Sequence, residues 1–216
     1  MSLKSFIVPR AAQKLLGEDR LNKQRKKFER GRMSNSEAHK VEFFHDPSDP
    51  YSQLLEKVLP RFAKNYKIEL ITHLVSPPDD AAAPERAKLT EYSKMDAMRL
   101  AKKAGIEFEI QDRPPAQNTS VADALREKLG HYLGATLYYG GEWYWGLDRL
   151  HYLESRLTQL GARKEGAGGP IYEPPQSPWV LVIRERNSIG MSLSARLIRP
   201  LCATVLKSSL RLMEPN

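Results

Sequence analysis

The residues best placed to do chemistry are the carboxylate and hydroxyls of Ser48-Asp49-Pro50-Tyr51-Ser52. Asp46-Pro47-Ser48-Asp49 reads as a turn and Pro50 as the first residue of a helix, where its missing N–H is not needed. Asp49 therefore stands at a helix N-terminus, where the dipole and the free backbone N–H groups stabilise an anion. A plain N-cap is one role for that carboxylate, and a catalytic one is the other. His45 ends the strand just before this turn and suits a proton carrier, although a strand-end histidine is also a common core residue. The five histidines (His39, His45, His73, His131 and His151) show no metal-ligand spacing. Cys202 is the one cysteine, so neither an intramolecular disulfide nor a Cys-x-x-Cys pair exists. No phosphate-cradling glycine loop is present, and no Ser/His/Asp order has a convincing context.

The elements that must position these residues follow from apolar spacing. Val41-Glu42-Phe43-Phe44-His45 is strand-like. Tyr51 to Tyr66 reads as a helix with Leu54, Leu55, Val58, Leu59 and Phe62 on one face, and Pro60 is expected to kink it or end it early. Lys67 to Val75 reads as a second strand, completing a βαβ unit with a parallel pair. Pro84 to Ala104 reads as a long helix with Leu89, Tyr92, Met95, Ala97, Met98 and Leu100 as buried positions and Gly105 as its stop. Thr119 or Ser120 caps a further helix, Val121 to about Tyr132. Ala135 to Tyr139 and Glu142 to Trp145 are strand-like and joined by Gly140-Gly141, a tight hairpin signal. Asp148 to Leu160 closes the unit as a helix carrying Leu150, Leu153 and Leu157. Tyr138, Tyr139, Trp143, Tyr144 and Trp145 alternate across the hairpin, so half face the core, and burial under a helix or an open stacking surface are both readings of the others.

The chain has 216 residues and a net charge of +8. Residues 1–40 carry 11 Lys or Arg against 4 Asp or Glu, so the basic character is concentrated toward the ends rather than the middle. The run Lys23 to Arg32 reads as a solvated, partly helical arm, within one helix around Ala11 to Arg30. No aromatic platform is interleaved with it, which argues against nucleic acid as a partner; binding through the arm would fall steeply with salt. No apolar run reaches the roughly 18 residues of a membrane span. The N-terminus does not read as a signal peptide, and with the single cysteine this makes a cytoplasmic location the expectation. Residues 162–216 read as a glycine- and proline-rich linker followed by a short basic extension, with a strand at Trp179 to Ile183 and a helix at Ser192 to Leu212.

Two stretches carry a resemblance. Phe43-Phe44-His45-Asp46-Pro47-Ser48-Asp49-Pro50-Tyr51-Ser52 is similar to the strand-to-helix junction of DsbA-like proteins. There Cys-Pro-x-Cys opens the helix; the 2-hydroxychromene-2-carboxylate isomerases and kappa-class glutathione transferases have Ser-Pro-Tyr-Ser. Gly130 to Leu150, with Gly140-Gly141 and Gly146-Leu147-Asp148-Arg149-Leu150, resembles the family's Gly-Val-Pro-Thr turn, hairpin and last-helix start. The resemblance implies an α/β thioredoxin-like fold over 41–161 (βαβ, a helical insertion at about 76–132, then ββα), with a basic arm at 1–40 and the 162–216 extension. It further implies catalytic roles for Asp49, Ser52 and Ser48, and glutathione contacts at Ala135, Thr136, Asp148 and Arg149. Asp148 stands where the family's acidic residue receives the γ-glutamyl ammonium; capping the last helix is its other reading. Two departures matter: Asp49 replaces the serine, and Ala135 replaces a cis-proline, so the bond before it is expected to be trans.

The resulting expectation is a glutathione-dependent isomerase- or transferase-like protein acting on a small, aromatic organic substrate, without dithiol redox activity. The competing expectation is a catalytically inactive thioredoxin-fold scaffold that keeps the fold and uses its surfaces. Homodimerisation is implied only by the resemblance. The tail suggests a chain shortened relative to a two-unit ancestor.

Overall fold

The apolar alternation around Phe43 and the helix opened by Pro50 build the centre of the computed structural model, which describes residues 18–79 and 85–174 and the backbone of 180–182 and 196–198. In chain order the elements are α1 (Glu18–Ser34), β1 (His39–His45), α2 (Pro50–Asn65), β2 (Ile68–Leu74), α3 (Arg86–Lys103), α4 (Ser120–Lys128), β3 (Thr136–Tyr139), β4 (Glu142–Trp145), a 3-10 turn (Leu147–Arg149) and α5 (Leu150–Gln159). The strands form a mixed four-stranded sheet in the order β2-β1-β3-β4. β1 and β2 are parallel, with Phe44 opposite His73, while β1–β3 and β3–β4 are antiparallel. The architecture is α/β. Contacts divide the chain into two compact units, Met1–Glu173 and Pro174–Asn216.

The first unit's core is the expected face of α2, Leu54, Leu55, Val58, Leu59 and Phe62, packed with Val41, Phe43, Leu137, Leu150, Leu153 and Leu157. That face explains a correction. Of the two outcomes expected at Pro60, the early end does not occur: α2 runs on to Asn65. An interior proline costs about 3 kcal/mol or more, but burial of each large apolar side chain contributes about 1.5–3 kcal/mol on both sides of it. Pro60 itself faces solvent.

α3 departs further from expectation. Leu89, Tyr92, Met95 and Met98, expected inside, are 47–55 % exposed, while Ala97 and Ala101 are buried and Leu100 is half-buried. The helix approaches α2 through a small-residue stripe, and the bulky side chains are left on other faces because the small ones allow the close approach. Gly105 does end the region, with a φ of +64°. α4 stops at Lys128, earlier than expected, and Thr119 makes no side-chain cap bond. Gly140 and Gly141 both take positive φ (+56° and +84°), as a two-residue hairpin turn requires. Tyr139 and Tyr144 face the core, Tyr138 and Trp143 are half-buried, and Trp145 is exposed.

The arm is not merely solvated. The Arg25 guanidinium donates to both oxygens of Glu142 (2.8 and 2.6 Å), and Phe28 meets the Tyr139 ring edge-on. The part of the expected helix before Glu18 lies outside the described residues. Beyond α5, Lys67 N–H donates to the Ala162 carbonyl at 2.7 Å and Lys164 N–H to that of Asn65. Ile171 and Tyr172, within the stretch read as linker, are buried in the core.

In the second unit Val180–Val182 (β5) pairs antiparallel with Arg196–Ile198 (β6). The strand expected at Trp179 to Ile183 is found at β5. The helix expected over Ser192 to Leu212 is contradicted at 196–198, where Leu197 pairs with Leu181 in the ladder. Arg196-Leu197-Ile198 is too short a run for its apolar spacing to separate a strand from a helix face, and the apolar β5 supplies a pairing edge. The rest of that expected helix lies outside the described residues.

Candidate active site at the start of α2

β1 delivers His45 and Asp46 to the sheet's end, and the chain then turns into α2. The turn is closed by Asp46, whose Oδ1 accepts from the Ser48 backbone N–H (2.9 Å) and hydroxyl (2.7 Å). This Asx-type closure fixes the approach to the helix. Asp49 then caps it: the carboxylate accepts from Tyr51 N–H (3.3 Å) and Ser52 N–H (3.1 Å). The N-cap role is thus present in full. Burial, followed by the nearby Asp46 charge, pushes the Asp49 carboxyl up to about 7, against the two backbone hydrogen bonds that favour its ionised form. At neutral pH it is therefore poised between acid and base, a property useful for proton transfer.

Ser52 is fully buried. Its hydroxyl accepts from Asp46 N–H at 3.1 Å and lies 2.8 Å from His45 Nδ1. This hydrogen bond engages Nδ1 and leaves the other ring nitrogen, Nε2, outside it. That nitrogen faces Glu56 Oε1 at 3.6 Å. Burial lowers the His45 pKa, consistent with a neutral ring. The fold brings His45, which the sequence marks as a candidate proton carrier, onto Ser52. Even so, a hydroxyl sealed from solvent and engaged on both sides is a support for the turn, not a nucleophile for an incoming substrate. Ser48 is similarly occupied, its proton given to Asp46.

The loop before β3 closes the other wall. Gly134 packs so closely on Asp46 that a Cβ built on it would lie 2.8 Å from the Asp46 Cβ. Ala135 follows, fully buried and in the left-handed region with a φ of +55°. No cis peptide bond occurs among the described residues, so the bond before Ala135 is trans as expected. The Ala135 carbonyl accepts from Gly146 N–H at 2.8 Å, tying this wall to the turn that carries Asp148. Thr136 is buried, and its hydroxyl donates to the Leu133 carbonyl at 3.3 Å. Asp148 and Arg149 are about half-exposed and 3.6 Å apart, and Asp148 caps no helix: a 3-10 turn intervenes before α5. The structure therefore gathers Ser48, Asp49, Ser52 and Ala135 around one turn, and links the Asp148 turn to it through one backbone bond.

Ala135→Pro is expected to destabilise the fold by about 3 kcal/mol or more, because proline's φ near −65° cannot meet a left-handed backbone. A denaturant midpoint close to that of wild type would contradict this geometry.

Two participants, Asp46 and Glu56, were missed in the sequence. Asp46 was read only as a turn residue, although its spacing three before Asp49 is the signal of a charge pair. Glu56 lies one helical turn after Ser52 and is legible once α2 is drawn. Tyr51 and Trp145 meet edge-on (6.2 Å) above the helix start, and the Tyr51 hydroxyl donates to Asp96 Oδ2 at 2.9 Å. Comparison with known proteins finds no matching family model, no similar curated protein and no similar solved structure. What the site can do therefore rests on its own residues. Among the described residues no group of His, Cys, Asp and Glu could hold a metal ion, and no helix is long and apolar enough to cross a membrane.

Proposed function

We propose that this chain is a glutathione-dependent isomerase- or transferase-like protein of the DsbA-like group, built on a thioredoxin-like frame and acting on a small aromatic substrate. The strand order β2-β1-β3-β4, with a helix opening directly after β1 and the Ala135 loop beside it, supports the frame. The observation that carries the reading is Asp49, a carboxyl at a helix N-terminus held near half-protonation at neutral pH.

The residues present fit glutathione at two points. Asp148 offers a half-exposed carboxylate for an ammonium group. Asp49 in its neutral form removes the like-charge repulsion that a fully ionised carboxylate would impose. Glutathione would supply a thiol sulfur as the reacting atom. Asp49 takes the thiol proton on a carboxylate oxygen and, once neutral, donates it back as a hydrogen bond. Tyr51 and Ser52 N–H groups orient the carboxylate throughout. Tyr51 and Trp145 supply the aromatic rim against which a flat substrate can stack. A single cysteine leaves no dithiol route.

The second reading, a non-catalytic scaffold, is favoured by the left-handed Ala135 in the place of the family's proline and by the exposed side chains of α3. Calorimetry with glutathione on wild type and Asp148→Ala separates the two. Saturable binding that weakens several-fold in the variant is the expected result. No heat at millimolar glutathione would remove the cofactor and leave the scaffold.

A further inference from the structure

The two edges of the first unit's sheet are built differently. β4 is four residues long, and α1 meets its first residue through the Arg25–Glu142 pair. β2, on the opposite edge, is seven residues long, contains neither proline nor lysine, and keeps an unbroken register with β1 from Ile68 to Leu74. Short length, proline, lysine and bulges are the usual means by which an edge strand is kept from pairing with another chain, and β2 has none of them. Among the described residues no strand or other backbone group pairs with its outer side; the Tyr66–Arg163 bridge lies before its start. We propose that β2 pairs antiparallel with β2 of a second copy of this chain, about a two-fold axis at Ile71, whatever the Asp49 site binds.

The backbone sets the parity. Val75 N–H donates to the His45 carbonyl at 2.9 Å. Residues bonded to one neighbour alternate along a strand, so Glu69, Ile71 and His73 turn their N–H and C=O groups to β1. Those of Ile68, Leu70, Thr72 and Leu74 point away from the sheet. An antiparallel pair centred on Ile71 sets Leu70 opposite Thr72 and Ile68 opposite Leu74, so every hydrogen-bonded pair joins two residues with outward groups. Ile71 then meets its own copy, and Glu69 meets His73, in the pairs without hydrogen bonds, where side chains come closest. Ile71 is also the midpoint of β2, so this register uses the whole strand.

The side chains favour a second copy over an unrelated strand. In this register no like charges stand opposite each other, and the apolar residues meet apolar ones except at Leu70 and Thr72. Leu74 is 47 % exposed although its β1 neighbour His45 is buried, so the strand's end has an uncovered apolar side chain for Ile68 of the other copy. His73 stacks on Phe44, ring centroids 5.0 Å apart, and its Nε2 is buried without a hydrogen-bond partner. Glu69 of the same strand is exposed and about 13 Å along it, out of reach. Glu69 of the second copy brings a carboxylate directly beside this imidazole. The same patch serves both copies, which closes the assembly at two.

Sedimentation of the full chain over a range of concentrations tests this. Expected is a monomer–dimer equilibrium whose dissociation constant rises about tenfold or more in Glu69→Lys, because the two-fold axis counts the substitution twice. Glu69 is an exposed surface residue, so the variant keeps the fold. In a Cys202→Ser background, Ile71→Cys is expected to form an intermolecular disulfide under mild oxidation, since the Cα separation of such a pair suits one. Glu69→Cys in the same background stands about 13 Å from its own copy and stays unlinked. A chain that is monomeric at every concentration overturns the proposal. So does a dimer that Glu69→Lys leaves unchanged, or one that Ile71→Cys does not cross-link.

Discussion

Arg156→Ala is expected to lower the unfolding free energy by about 3–5 kcal/mol, the largest single-residue effect outside the apolar core. Arg156 is buried on α5. Its guanidinium donates to the carbonyls of Tyr139 (3.0 Å) and Gly140 (3.4 Å), to Glu142 Oε1 (2.7 Å) and to the Tyr144 hydroxyl (3.3 Å). It also lies over the Tyr139 ring, 4.7 Å from the centroid. Removing it leaves Glu142 with Arg25 as its one remaining guanidinium partner and takes a donor from the buried Tyr139 carbonyl and the Tyr144 hydroxyl, and buried groups that lose a partner incur a desolvation penalty. Urea unfolding checks it, with Arg25→Ala as reference: Arg25 is more exposed and serves the same carboxylate from outside, so its loss should cost about 1 kcal/mol. Equal effects of the two substitutions would show that Arg156 holds the hairpin no more firmly than a surface pair does.

The second large effect concerns pH. Glu154 is buried on α5, and its two carboxylate oxygens accept from Ile171 N–H at 3.4 and 3.3 Å. Burial pushes this carboxyl up to about 7, from an ordinary value of 4.5. A folded-state pKa raised above the unfolded one means that the native state holds the proton more tightly. The stabilisation is present in full below about 4.5 and is lost as pH rises through about 7. The lost contribution approaches about 3 kcal/mol by pH 8. Glu154→Gln keeps an oxygen for Ile171 N–H and removes the charge. Its stability should change less between pH 5 and pH 8 than that of wild type, and it should be the more stable protein at pH 8. Parallel stability profiles for the two proteins would show that Glu154 does not titrate in this range. The same experiment probes residues 162–173, because Ile171 and Tyr172 are the side chains this contact holds in place.

Much of the frame was written locally. The apolar face of α2, the strand around Phe43, the helix stop at Gly105 and the Gly140-Gly141 turn depend on spacing and on backbone freedom, both of which are properties of a few neighbouring residues. Asp49 could be placed at a helix start for the same reason: Pro50 and the following apolar period define where that helix begins. The direction in which each helix faces was less accessible. α3 has apolar residues around much of its circumference, and only the approach to α2 selected the stripe containing Ala97 and Ala101. Likewise Arg196, Leu197 and Ile198 suit a helix or a strand until β5 offers a partner.

The sequence by itself determined the alternation of strands and helices, the absence of a dithiol, and the carboxyl at the start of α2, because each follows from residue identity and near-neighbour spacing. Tertiary structure alone decided the chemistry around that carboxyl. The Asp46 charge raises the Asp49 carboxyl through space, His45 meets Ser52 only when α2 folds back along β1, and Gly134 packs on Asp46 from a loop more than eighty residues away. The same holds for α1, whose charges read as solvated until the Glu142 carboxylate, distant in the chain, is brought to Arg25. Burial and electrostatic coupling depend on distances between segments, and those distances exist only in the folded chain.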